Sequence, residues 1–410
     1  MDEQLLREVA AEFLQPLISG SRLDPGHAVS KKGHACVAFK TPCQIEFKAE
    51  KTDLYRLTLR RSQPFEGDGA GAVSEKKVIE AFGDVLRTMA DGLATAYRAD
   101  ILTAFPRRVV AKALSNDAAK QDTILAALDQ LALWAGQQYE GKPITAAVGF
   151  DPQLNGGSVP FSQFAKEAFS SVLSNGFDTL LTSSFSGEVA GLETLAPPNQ
   201  APLFSPYRLG AICEWAQNGR IALVLNRIGE ILVFQDSELR FARRSGRWHF
   251  LTHAPVITQM GGPDNHALRK AVYATCLDAS FARTGACIGM VTSNHTKEWP
   301  NLAVSTDDHM DGTSTKAKAL KVMVAGRKFQ DLDRRLRQEL VAIDGATLVD
   351  RTGALLAVGA ILKIPGGSTG GGRLAAAKAL GTLGVGIKVS QDGGIRGYHS
   401  DDSEPKFTVM

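Results

Sequence analysis

The order of apolar and polar positions divides the chain into stretches of different period. Residues 3–18 repeat apolar side chains at helical spacing, with Leu5, Val9, Phe13 and Leu14 on one side. The segments "HACVAF", "CQIEFKAE" and "LYRLTLRR" alternate instead, which predicts strands. The glycine-rich "FEGDGAGAV" ends them. From Glu75 to Tyr139 the spacing is helical again, with Pro106 expected to interrupt it. A further helix is predicted in "FSQFAKEAFSSVLSNGFDTLL", where Phe161, Phe164, Ala168, Val172 and Leu173 would share a core-facing side.

The prolines of "ETLAPPNQAPLFSPYR" read as a linker. Beyond it, "GRIALVLNRIGEILVFQDSELRFARRSGRWHFLTHAP" reads as a meander of short strands, with "NRIGE", "DSE" and "RSGR" as turns and Trp248 and Phe250 on the apolar side of the last strand. The rhythm then changes. "HALRKAVYATCLDASFA" and "RKFQDLDRRLRQELVAI" are helical, and "ACIGMVT" is a short apolar strand. "GATLVD" and "ALLAVGAIL" follow as strands joined by a turn at Arg351 to Gly353. A glycine loop, the helix "RLAAAKALG" and the pair "VGIKVS" and "GIRGY" complete the pattern, and a polar end from His399 is expected to fray.

These elements predict a mixed α/β fold: an α+β module over 1–200, a β-meander over 201–260 belonging with it, an α/β domain with a central mixed sheet flanked by helices over 261–400, and a flexible tail over 401–410. A length of 410 residues agrees with more than one core. With 46 basic and 43 acidic side chains the formal charge is +3, which supplies no general attraction to nucleic acid or to a membrane surface. The close-set Arg240, Arg243, Arg244 and Arg247 are read as a solvated hairpin edge.

The cysteines, Cys36, Cys43, Cys213, Cys276 and Cys287, are scattered and odd in number, as expected of reduced thiols rather than a disulfide or zinc framework. The first residues mix acids into an apolar stripe and do not resemble a signal peptide, and no apolar run reaches membrane-spanning length. A cytoplasmic location is expected.

Two stretches carry candidate chemistry. In "GGSTGGGR" successive backbone N–H groups precede a helix start, which reads either as a flexible loop or as a cradle for phosphate to which Arg373 adds a fork of donors. The spacing is neither that of a P-loop nor that of the dinucleotide fingerprint. Asp344 opens the strand "GATLVD", where a carboxylate serves either a turn or a metal or ribose hydroxyl. A third stretch, "STDDHMDGTS", sets Asp307, Asp308, His309 and Asp311 close together, as a polar loop or a metal site would. His249, His253, His266 and His399 have no partners at recognisable spacing and are read as surface or packing residues.

Taken together, the C-terminal motifs resemble the diadenylate cyclase domain, the nucleotide-binding domain of the bacterial DNA-integrity-scanning protein and its membrane-bound relatives. Asp344-Gly345-Ala346 matches that family's Asp-Gly-Ala motif, and "GGRLA" falls where the family has Gly-Thr-Arg-His-Arg. "GIKVSQDGGI" matches its last strand and turn, and "ATCLDASFARTGACIGMV" its opening helix and strand. The resemblance covers residues 265–400. It implies that ATP molecules meet face to face across a homo-oligomer and condense to cyclic di-AMP with Mg2+ or Mn2+. Asp344 would hold the metal near the reacting hydroxyl, and the loop would hold phosphates.

By that resemblance the catalytic residues are Asp344 and Arg373, and the nucleotide is bound by Gly345, Ala346, Gly370, Gly371, Gly372, Arg373 and Lys378. The chain departs from the family at Leu374 and Ala375, which replace a His and an Arg and remove two phosphate donors. Lys378 and Lys363 are the substitutes within reach. Lost donors of this kind cost roughly 10²- to 10³-fold in rate. The expected function is therefore an ATP- or cyclic-dinucleotide-binding protein in signalling or sensing, with weak or lost cyclase activity. A working cyclase and a non-catalytic scaffold are the alternatives. Residues 1–255 carry no catalytic set at convincing spacing, and a sensor or partner-binding role is expected of them.

Overall fold

The computed structural model describes residues 3–28, 36–48, 55–67, 73–93, 96, 98–155, 157–261, 265–364, 371–399 and 404–410. The chain has a mixed α/β architecture and forms two compact units, Met1–Thr252 and His253–Met410. No helix among the described residues is long and apolar enough to cross a membrane.

In the first unit, the alternating segments form the strands Val37–Thr41, Gln44–Phe47 and Tyr55–Arg60, joined by Arg22–Ala28 into a four-stranded antiparallel sheet. The helical stretch resolves into Glu75–Leu93, Arg98–Leu114 and Ala118–Trp134. Pro106 does not interrupt it but lies inside the middle helix. A proline there removes one backbone bond and costs about 3 kcal/mol. Burial of Phe105, Val109, Val110 and Leu114 on the same helix offsets that loss.

The predicted helix over "FSQFAKEAFSSVLSNGFDTLL" is a second correction. Only Phe161–Phe164 is α-helical, Ala168–Val172 is a 3₁₀ turn, and Thr179–Ser183 is a strand. Val172 and Leu173 are exposed, while Ser170, Ser171 and Ser174 are buried. The Ser174 hydroxyl accepts from Ala147 N and donates to Ala147 O, an alternative to helical pairing that serine offers the backbone.

The meander forms the strands Ile221–Leu225, Ile231–Gln235, Glu238–Arg244 and Arg247–Phe250. Its turns at Asp236–Ser237 and Ser245–Gly246 have both central residues at positive φ, the geometry that suits a two-residue hairpin. Ala146–Phe150 pairs with Ile221–Leu225 and continues the meander into one eight-stranded sheet with Thr179–Ser183 and Glu188–Thr194. The proline-rich stretch therefore connects strands of a single sheet. The arginine group is a solvated edge only in part: Arg247 is exposed, but Arg240 and Arg244 are buried. Arg244 Nε lies 2.6 Å from Glu230 Oε1, and Arg240 Nη2 lies 2.9 Å from Glu238 Oε2.

The second unit is built on a six-stranded mixed sheet in the order Leu355–Ala360, Ala346–Asp350, Ala286–Val291, Gly384–Val389, Ile395–Tyr398, Phe407–Val409. Only the pair Ala286–Val291 and Ala346–Asp350 is parallel. The chain end is not frayed where it is described. Phe407 and Val409 are buried, and their strand pairs with Ile395–Tyr398. Residues 401–403 of the expected tail lie outside the described residues.

Helices His266–Ala282, Arg334–Ala342 and Gly372–Gly381 accompany this sheet. Asn265 caps the first by accepting from Leu268 N, and Asp333 caps the second by accepting from Arg335 N and Leu336 N. The third sits close to the sheet because Gly289 and Gly386 carry no side chain there. A Cβ on Gly386 would strike the Ala377 carbonyl, and one on Gly289 would press on Leu380. These two glycines let the second half of that helix lie close against the sheet.

Candidate functional site

The candidate site grows from two turns that the fold brings together. At the first, helix Arg334–Ala342 ends and the chain reverses through Asp344 and Gly345 into Ala346–Asp350. Gly345 has φ +103°, and an added Cβ would meet the Gly359 backbone. Gly359, at φ +63°, is equally hemmed in by Ile343 and the Asp344 carbonyl. The close approach of the two backbones thus explains the glycine after Asp344. At the second turn, Gly371 at φ +95° leads into helix Gly372–Gly381, with Leu374 N and Ala375 N bonding to the Gly371 carbonyl.

Both turns open on one cavity of about 220 Å³. Asp344, Gly345 and Ala346 line one part of it, and Gly372, Arg373 and Ala376 another. Cys287, Ala360, Ile361, Leu362 and Ile364 supply a largely apolar remainder. The cavity lies beside the first residues of the parallel strands, because Ala346 opens one and Cys287 is the second residue of the other. This is the end opposite the carboxyl-edge crevice that open α/β sheets ordinarily use.

The charged groups here differ in kind from those buried elsewhere. Asp344 is exposed, and neither its carboxylate nor the Arg373 guanidinium has an ion-pair partner among the described residues. Arg373 lies against Gly285 so closely that a Cβ there would overlap its guanidinium. Burial pushes the Cys287 thiol up to about 12, against the pull of Arg373 in the other direction. The thiol is therefore neutral and serves as an apolar wall.

Of the other expected site residues, Gly370 lies outside the described residues. Lys378 does not line the cavity; its ammonium sits 5.8 Å from the Tyr398 ring centre. Lys363 reaches the Asn301 carbonyl at 3.4 Å. Leu374 packs against the apolar core beneath its helix. The apolar residues that complete the cavity, Ile361, Leu362 and Ile364, were not anticipated, since their sequence carries only an ordinary strand signal.

The loop "STDDHMDGTS" has another employment. Val304 N bonds to Ile361 O, Met310 N bonds to Leu356 O, and His309 bridges to Ala357, so this segment covers the edge of the Leu355–Ala360 strand. Asp308 accepts from Lys316 Nζ at 2.5 Å, and His309 stacks on Trp299 at 4.5 Å. No group of three or more potential metal ligands occurs among the described residues. His253 is buried against the Tyr273 hydroxyl at 2.6 Å. Burial, aided by Arg244, lowers His249 to about 4, which keeps it neutral near pH 7.

No protein-family model matches the chain, and no curated protein matches it. Among solved structures, the chain is similar to a double mutant of DacA from Staphylococcus aureus, at 13% identity. That match covers 30% of this chain and 88% of the other, with a TM-score of 0.23.

Proposed function

We propose that the second unit binds an adenine nucleotide or cyclic dinucleotide in a signalling or sensing role, and that it retains little or no diadenylate cyclase activity. The observation that carries this reading is the shared cavity: Asp344 and Arg373, unpaired among the described residues, open on one space from two different turns. A cavity of about 220 Å³ is smaller than the ~300–1,000 Å³ of most ligand clefts, so it takes part of a nucleotide and leaves the remainder outside. Its apolar wall suits a base or sugar. Phosphates would be met by Arg373 and by the free N–H groups at the helix start.

A single carboxylate does not make a divalent-metal site by itself. Mg2+ commonly takes one or two carboxylates together with substrate phosphates, and Asp344 fits that role. Mg2+ or Mn2+ would therefore be held jointly by Asp344 and the nucleotide. When bound, the ion would supply charge neutralisation at the phosphates. Slow or absent turnover is expected because Leu374 packs downward as a core residue and neither Leu374 nor Ala375 can donate to a phosphate. Catalysis of phosphoryl transfer depends on such preorganised donors.

Titration calorimetry of the full chain with ATP and with cyclic di-AMP, in the presence and absence of Mg2+ or Mn2+, tests the binding. Heat of binding for at least one of the two is expected, and silence across the panel overturns the proposal. Incubation with ATP and either metal, followed by mass spectrometry, tests the turnover. Cyclic di-AMP formed in many cycles per enzyme and abolished by Asp344→Asn would make the chain a working cyclase instead.

A further inference from the structure

The first unit contains a second cavity, of about 180 Å³, open to solvent and lined by the helices Glu75–Leu93, Arg98–Leu114 and Ala118–Trp134. Its charged lining comes from all three: Arg87 and Asp84, then Arg108 and Lys112, then Asp122. Val85, Met89 and Leu125 give it an apolar floor, and Val85 and Leu125 are buried. Cations thus outnumber carboxylates. Among the described residues, the one ion pair within the cavity is a long one, Lys112 Nζ to Asp84 Oδ2 at 3.7 Å. Among the described residues, neither Arg87 nor Arg108 has a carboxylate within 4.0 Å.

An arginine on a helix surface ordinarily reaches a carboxylate one turn away or stays alone in water. Here the exposed Arg87 and Arg108 and the partly buried Lys112, placed by two helices, line one concave space whose floor is Val85, Met89 and Leu125. The apolar floor strengthens the field of such a group on any ligand that enters. The guanidinium fork matches the oxygens of a phosphate in pairs, and a lysine adds a point charge. The volume is that of about six waters at ~30 Å³ each, room for a phosphoryl group and a few carbon atoms. We propose that this cavity binds a small phosphorylated metabolite, with Arg87, Arg108 and Lys112 on the phosphate and Val85, Met89 and Leu125 against its carbon skeleton. The Asp84 carboxylate, already beside Lys112, holds that ammonium in place and excludes a ligand of more extended negative charge.

The site is independent of the nucleotide cavity, so the two are tested apart. The full chain carrying Arg373→Ala is unfolded thermally with inorganic phosphate and, at equal ionic strength, with chloride. Phosphate is expected to raise the midpoint above the chloride value, and the double change Arg87→Gln with Arg108→Gln to weaken the apparent affinity at least tenfold. Lys112→Gln, a milder change, is expected to weaken it severalfold, and it serves as the readout if the double variant does not fold. Equal midpoints in phosphate and chloride overturn the proposal, as does a phosphate effect that survives the cavity substitutions.

Discussion

A buried pair in the first unit and the cavity at Asp344 and Arg373 in the second use charge in opposite ways. In the buried pair, both charges are taken out of water together. Arg61 and Glu75 are almost wholly buried; Arg61 donates to both carboxylate oxygens, the Nη2 bond being 2.6 Å, and also to the carbonyls of Gln63 and Pro64. In the second unit, the cavity of Asp344 and Arg373 leaves both charges without ion-pair partners among the described residues. The second unit can bury a pair too, since Arg334 holds Asp278 through bonds of 2.7 and 3.0 Å. The contrast is therefore one of use and not of composition. A paired buried charge holds a fold in register, whereas an unpaired charge at a cavity is available to a ligand.

Breaking a pair should show the largest effect. Arg61→Met leaves Glu75 buried without its cation, and a loss of about 3–5 kcal/mol of stability is expected in denaturant unfolding. A loss under about 1 kcal/mol would mean that the pair adds little beyond its packing.

Glu66 sharpens the same comparison through pH. Its backbone N–H bonds to Glu75, its carboxylate lies 3.9 Å from Arg240, and burial raises it from 4.5 to about 7. Below pH 4.5 the folded and unfolded states both hold this proton. Between pH 4.5 and 7 the folded state holds more of it, so stability falls as pH rises and the contribution is gone above pH 7. The expected loss is on the order of 2–3 kcal/mol. Glu66→Gln should flatten the stability profile across that window, as measured by urea unfolding at each pH.

At the cavity the expectation reverses. Arg373→Ala should weaken nucleotide binding by about 1.5–3 kcal/mol, the value of a charged hydrogen bond, while stability changes by no more than about 0.5 kcal/mol. An unchanged affinity with a large loss of stability would place Arg373 among the structural charges. The smallest effect is expected of Asp344→Asn, which preserves shape. Stability should stay within about 0.5 kcal/mol, and the metal dependence of nucleotide binding should disappear. Calorimetry with and without Mg2+ reads both outcomes.

Local pattern alone determined much of this protein. The alternation of "LYRLTLRR", the apolar runs "IALVL" and "ILVF" with their turn residues, and the helix after the glycine run all appear as strands and a helix at those places. Each depends on neighbours within a few residues, so its period is visible in the sequence. The chemistry of Asp344 and Arg373 was legible as residue type, but their opening on one cavity was not.

Tertiary structure decided the rest. Pro106 stays helical because buried neighbours outweigh a lost bond, and the helical period of Phe161–Leu173 is broken where Ser174 bonds to the strand residue Ala147. Arg244 is buried beside Glu230, which the hairpin returns to it, and Arg240 beside Glu238 and the distant Glu66. Whether a charge is paired, exposed or aimed into a cavity depends on residues far away in sequence. Electrostatic and packing energies depend on distance in space, and the order of residues along a chain does not contain that distance.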